Sequence, residues 1–417
     1  MAKNFANLYA SANDSSGIEQ RLYIKEEPSG TRGTLIAPLA TDFILQLSGG
    51  NTTFNRPIEP SAVRSGRHNF GIIEKKDVTE WSFPFYFMID TTLGAAANTE
   101  IDPAARVLYE SLLGRERDIG GVLTYDAVNP PDITFSIWEV GDVWAHQAPG
   151  AFVMAADWTF PGDGEAQHVE SGQAKTMYRI GIMQSVADNN GGNTVTVNAG
   201  EGKRAEVNGM VQLIEGDGTT RSADTPDGSP RRITAIVGDV ITLDGAALAD
   251  ADGSGGAGTE IYLTYYEPDE PLISINDPVT GLVGSITIAG LSAQCVRSAA
   301  ISFDNQHEPI NYCYGERGLA GPLFSPTGRL LCNVTLELNL NAELVGFINS
   351  LKDFDGEDVT LILGDATGRH MEVSIPKWTP PIPGIPIPES GTIPVSFEGL
   401  ALQTATGAGD EILVEFK

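Results

Sequence analysis

The sequence predicts an all-β fold with one flanking α-helix and a small inserted β-domain. Three observations lead there. Apolar and polar residues alternate in many short segments, the period-two pattern of half-buried strands. The 417 residues include 47 glycines and 25 prolines, enough for the turns such a fold needs. Helical spacing recurs in only two places. The expected core is discontinuous, formed by residues 1–171 and 268–417, with residues 172–267 inserted between them.

In chain order, the first residues lack the apolar run of a signal peptide, and no stretch reaches the roughly 18 apolar residues of a membrane helix. Synthesis in a reducing cytoplasm and no membrane partner are therefore expected. After Phe54, an arginine-rich loop with Arg56, Arg64 and Arg67 leads into a strand over residues 77–88. There Val78, Trp81, Phe83, Phe85 and Phe87 suit a half-buried pleated surface. Pro84 has no N–H and belongs at an edge or a bulge.

A helix is expected over residues 101–113. Asp102 is placed to cap it, Pro103 suits its first turn, Val107, Leu108, Leu112 and Leu113 form its apolar side, and Gly114 stops it. Strands follow over 122–125, 133–140 and 152–160, and later over 285–288, 299–303, 333–340, 359–363, 371–375 and 392–402. A shorter helix is expected over 342–351.

Within 172–267, short strands over 194–197, 209–214, 233–237, 240–243 and 261–266 are separated by Asn-Gly, Asp-Gly and Gly-Gly turns. The Gly-rich run 161–172 and the Pro-rich run 267–271 read as linkers to this insertion. The proline-rich segment 375–394 reads as an extended surface loop.

The formal net charge of −29 argues against tight nucleic-acid binding, which needs bases to neutralise phosphate. It fits a surface past which a polyanion slides, as well as plain solubility. No phosphate-cradling GxxxxGK[ST], HExxH or GxSxG motif occurs. His68, His146, His168, His307 and His370 are scattered and read as surface residues. Cys295, Cys313 and Cys332 form no metal-ligand or disulfide pattern. Asp250-Ala251-Asp252-Gly253 lacks the remaining ligands of a calcium loop. No catalytic residue, cofactor or metal is expected.

Glu26 and Glu27 precede Gly30-Thr31-Arg32-Gly33-Thr34 and Pro38; Arg56-Pro57-Ile58 and the run from Ser61 to Arg67 lead into the long strand. In this order the motifs resemble those of the tail tube (major tail) proteins of long-tailed bacteriophages. Ala299 to Gln306 resembles the family's strand ending in an Asp-Asn turn, and Gly318 to Leu340 its entry into the next strand. Gly391 to Ala401, then Asp410 to Lys417, resembles its closing strands. The resemblance covers about residues 20–170 and 270–417 and skips the insertion.

The resemblance implies a core of two packed β-sheets flanked by a helix, in protomers that form rings, usually six around an axis, whose sheets continue into a β-barrel lumen and which stack into a tube. It implies a structural virion protein, assembled in the host cytoplasm, that conducts DNA and touches tape-measure and other tail proteins. A net acidic lumen is expected to keep DNA from sticking to the wall. Arg56, Arg64, Arg67, Trp81, Phe83 and Phe85 are the candidates for contact between protomers, and the insertion is expected on the tube exterior. Rival readings are a distal-tail or tail-terminator protein, which forms single rings, and a surface β-sandwich that binds carbohydrate.

Overall fold

The computed structural model describes residues 3–10, 20–60, 64–65, 68–69, 72–75, 77–88, 103–119, 122–128, 131–188, 192–248, 262–269, 278–282, 284–288, 291, 296–310, 324–326, 330–353, 356–364, 370–386, 390–406 and 408–417. The fold is all-β with flanking helices. A front sheet runs, by antiparallel pairing, through Asn51–Asn55, Val78–Tyr86, Gln167–Ala174, the second half of Trp144–Pro161, Val296–Asp304, Leu331–Asn339 and Pro394–Ala401. A back sheet runs through Gly284–Ile288, Glu357–Gly364, His370–Thr379, Leu413–Phe416, Val122–Asp126 and Arg117–Ile119. The two join where Trp378 and Thr379 pair with Ala401 and Leu400.

The sequence builds this sandwich by strict alternation. Val395, Phe397 and Ala401 of the front sheet and Leu361, Val373 and Val414 of the back sheet point into one core, while their neighbours face out. The helix Pro103–Leu113 covers part of that core with Leu108, Tyr109 and Leu112. It begins on proline and ends at Gly114, whose φ of 123° suits glycine and whose N–H bonds to the Glu110 carbonyl at 3.0 Å. Asp102, its expected cap, lies outside the described residues. The helix Ala342–Ser350 is capped by Asn341, whose side chain accepts the Leu344 N–H at 2.8 Å, and Phe347 meets Phe397 edge-on.

Trp81, Phe83 and Phe85 lie in this core, 2 %, 0 % and 1 % exposed. Their expected role as contacts between protomers is corrected: strand alternation turns them inward, where Trp81 meets Phe135 edge-on with ring centroids 5.5 Å apart. Pro84 faces outward. Its carbonyl accepts the Leu47 N–H at 2.8 Å, on the side where the pairing with Asn51–Asn55 has already ended at Ser82. The N–H that proline lacks would have pointed to that same open side, so the ladder to Gln167–Ala174 loses nothing.

The strand Trp144–Pro161 passes from a side sheet, shared with Phe43–Ile44, Arg21–Glu27, Thr134–Val140 and Tyr178–Gly181, into the front sheet. A register shift between Val153 and Ala155 marks the crossing. A Cβ on Gly172 there would lie 1.9 Å from the Phe152 carbonyl oxygen, so only glycine allows the approach. Beneath the crossing, the buried Glu27 carboxylate accepts from Gly33 N–H, Gly150 N–H, Thr134 Oγ1 and Ser136 Oγ, which offsets its desolvation.

Met183–Asp188, Thr194–Val197, Val240–Leu243, Arg231–Val237, Met210–Ile214 and Tyr262–Tyr265 close a small barrel. Its core is continuous with the outer face of the side sheet through Tyr23, Trp138, Val140 and Tyr266. Ile137 points the other way, into the sandwich, so Thr134–Val140 is buried along its whole length. The run 161–172, read as a linker, instead enters the strand Gln167–Ala174, and the barrel itself begins at Met183. The proline-rich run read as a loop from residue 375 stays in strand as far as Thr379. Pro376 is accommodated by a register shift between Glu357 and Val359 on the neighbouring strand.

Candidate assembly surfaces

The arginine-rich segment folds as an arm. The pairing that starts at Asn51 with Ser82 continues through Ile58 with Glu74 and Pro60 with Ile72, then reaches Arg64 with Asn69 and Ser65 with His68. One long hairpin therefore grows out of the front sheet, with a one-residue step in register on either side of its middle segment. Ile58, Glu59 and Pro60 are all exposed, and Ile58 and Ile72 are 57 % and 63 % exposed. Cross-strand register puts Ile58, Pro60 and Ile72 on one face of the ribbon, with Glu74 opposite Ile58, so three apolar residues are left in water there.

The arm holds itself together by local charge. Arg56 grips Asp77 with two hydrogen bonds, Nε to Oδ1 at 2.9 Å and Nη2 to Oδ2 at 3.1 Å, and its guanidinium lies 5.6 Å from the Phe54 ring centroid. This carboxylate belongs to the same chain, so Arg56 is committed at the root of the arm and not to a neighbour. Lys75 pairs with Glu59 across the ribbon. The backbone places Arg64 near the tip; Arg67 lies outside the described residues.

The outward face of the front sheet is the second surface. Register aligns Glu80 with Gln173, Ser82 with Ser171, Asp157 with Ser302, Asn333 with Leu400 and Thr335 with Glu398, giving broad rows of short polar side chains. Five carboxylates stand among them, those of Glu80, Asp157, Asp304, Glu337 and Glu398. Arg297 is the only lysine or arginine in these seven strands, and its Nη1 lies 3.0 Å from Glu337. The face has the amphipathic alternation of a strand but none of the bases that hold phosphate.

The histidines are less exposed than their sequence context suggests. His168, His307 and His370 are buried because each points inward from a strand. His168 Nδ1 lies 3.0 Å from Glu170 Oε1, which also accepts from Trp158 Nε1 at 3.1 Å, inside an aromatic shell of Phe85, Phe87 and Tyr109. Residues 250–253 lie outside the described residues, as do Cys295 and Cys313; Cys332 is buried, and burial pushes its thiol pKa up. Sequence reasoning missed the polar strand Gln167–Ala174, whose inward His168 and Glu170 hide its alternation. No protein-family model matches this chain, and no curated protein matches it.

Proposed function

We propose that this chain is a structural virion protein that assembles as stacked rings into the tail tube of a long-tailed phage, a conduit for ejected DNA. The observation that carries the reading is the outward face of the front sheet, seven strands wide, polar, acidic and almost free of bases. Such a face lining a lumen repels the DNA backbone at short range and leaves few groups for it to bind. The exposed arm supports the same reading, because isoleucine and proline left in water gain stability when another protomer covers them. A single-ring tail component is the rival reading, and the two differ in whether rings stack.

Electron microscopy of concentrated protein tests this directly. Long tubes of constant width are expected; isolated rings favour the distal-tail or terminator role, and dispersed monomers defeat the assembly reading. The lumen assignment has its own test in Asp157→Lys combined with Glu80→Lys. Both sites are exposed, so tubes are expected to form, but they should retain linear DNA at low salt where wild-type tubes do not. Equal DNA retention by both would show that this face does not meet DNA.

A further inference from the structure

Resting on that polymeric reading, one contact between copies is encoded at two borders of the front sheet. The arm leaves the first border beyond Asn55 and Val78. Following the register across the sheet, Thr79 lies opposite Ala174, Gln173 opposite Phe152, Ala155 opposite Asp304, and Asp304 opposite Leu331. Leu331 and its neighbour Leu400 therefore sit at the same end of the strands as the arm, but at the other border. The offset is four to five strand spacings, on the order of 20–24 Å.

At that second border lies a cleft of about 770 Å³, lined by Leu331, Leu400, Leu402, Thr404 and Glu411 among others. The three leucines are 41 %, 47 % and 40 % exposed, an apolar patch at the edge of a polar face. Glu411 Oε1 accepts from Gln403 at 2.7 Å, but its Oε2 is buried with no hydrogen-bond partner among the described residues. A buried carboxylate oxygen left this way is costly unless a donor arrives. Asp304, opposite Leu331 in register, Glu398, two positions before Leu400, and Asp410, which accepts from Thr404 N–H at 3.0 Å, add negative charge beside the cleft.

We propose that the arm of one copy lies across this cleft of the adjacent copy in the same ring. Its Ile58, Pro60 and Ile72 face meets the leucines, and its basic side chains meet the acids that include Glu411. Charge supports the match: once Arg56 with Asp77 and Lys75 with Glu59 are set aside, the arm's sequence still holds Arg64, Arg67 and Lys76 against Glu74, in a chain of net charge −29. The two patches are different, lie on opposite borders and share one end of the strands. Repeated by rotation, such a head-to-tail contact closes into a ring. With the strands aligned along the ring axis, a contact that joined successive rings would need the receiving patch at the opposite end of the strands.

The test combines an arm variant with a cross-link. Ile58→Asp with Ile72→Asp alters two exposed sites, so a thermal melt like wild type is expected, together with monomers by sedimentation velocity and neither rings nor tubes by microscopy. Rings of normal size that fail to stack, or tubes like wild type, would overturn the proposal. Separately purified Ile72→Cys and Leu400→Cys chains, mixed and oxidised, should give a cross-linked dimer at least fivefold above either chain alone. Wild-type tubes without that cross-link sink this contact and spare the tube reading, whereas wild-type protein that never assembles sinks both.

Discussion

Phe83→Ala will lower the unfolding free energy by about 3–5 kcal/mol, the usual cost of emptying a buried phenylalanine site. Phe83 has no exposed surface, stacks near Trp81 at a centroid distance of 6.2 Å and lies 6.5 Å from Phe85, so the cavity is walled by rings that cannot simply close over it. A domain with a typical stability of roughly 5–15 kcal/mol loses a large part of it. Urea denaturation of the purified chain measures this. A contact residue between protomers would behave in the opposite way: the variant would keep its unfolding midpoint and lose assembly. That outcome would refute the inward placement of the aromatic row and restore the reading that alternation alone left open.

A second large effect is expected from pH. His307, 5 % exposed, lies with its ring centroid 4.5 Å from that of Phe324, beside Phe152, and both its ring nitrogens lack hydrogen-bond partners among the described residues. Burial pushes its pKa down from 6.5 to about 4, against the opposing pull of Asp304. The folded state therefore prefers the neutral ring. Its contribution is complete above about pH 6.5, shrinks as the unfolded chain takes up a proton below that, and is gone below about pH 4, a swing of about 3 kcal/mol. His307→Leu removes both the titration and two unpaired nitrogens. Urea unfolding at pH 7 and pH 4.5 should show wild type losing more stability on acidification than the variant. Equal losses in the two proteins would mean that His307 is hydrated or paired in the folded state.

Much of the fold is legible in local pattern. The expected strand over 392–402 is Pro394–Ala401, the expected helix over 101–113 is Pro103–Leu113, and Pro84 stands where a strand has an open side. What escaped has a common cause. Gln167–Ala174 reads as a linker because its inward residues are His168 and Glu170, which become acceptable in a core only when they bond to each other and to Trp158. The first half of Trp144–Pro161 contains Pro149 and Gly150 and shows no alternation, because the sandwich core takes Ala148 and Ala151 while the barrel core takes Ala145. Arg56 reads as a residue in search of a neighbour's acid until the hairpin brings Asp77 to it from 21 positions away.

Local sequence was enough for the all-β fold class, the positions of most strands and helices, and the net acidity of the chain, since periodicity, turn chemistry and charge are properties of neighbouring residues. Only the tertiary structure decided which face of each strand is the core, that the arginine-rich segment is an arm, and that this arm and the Leu331, Leu400 and Leu402 cleft share one end of a sheet. These follow from strand register, which pairs residues as far apart as Asn333 and Leu400 and is set by packing the whole chain at once.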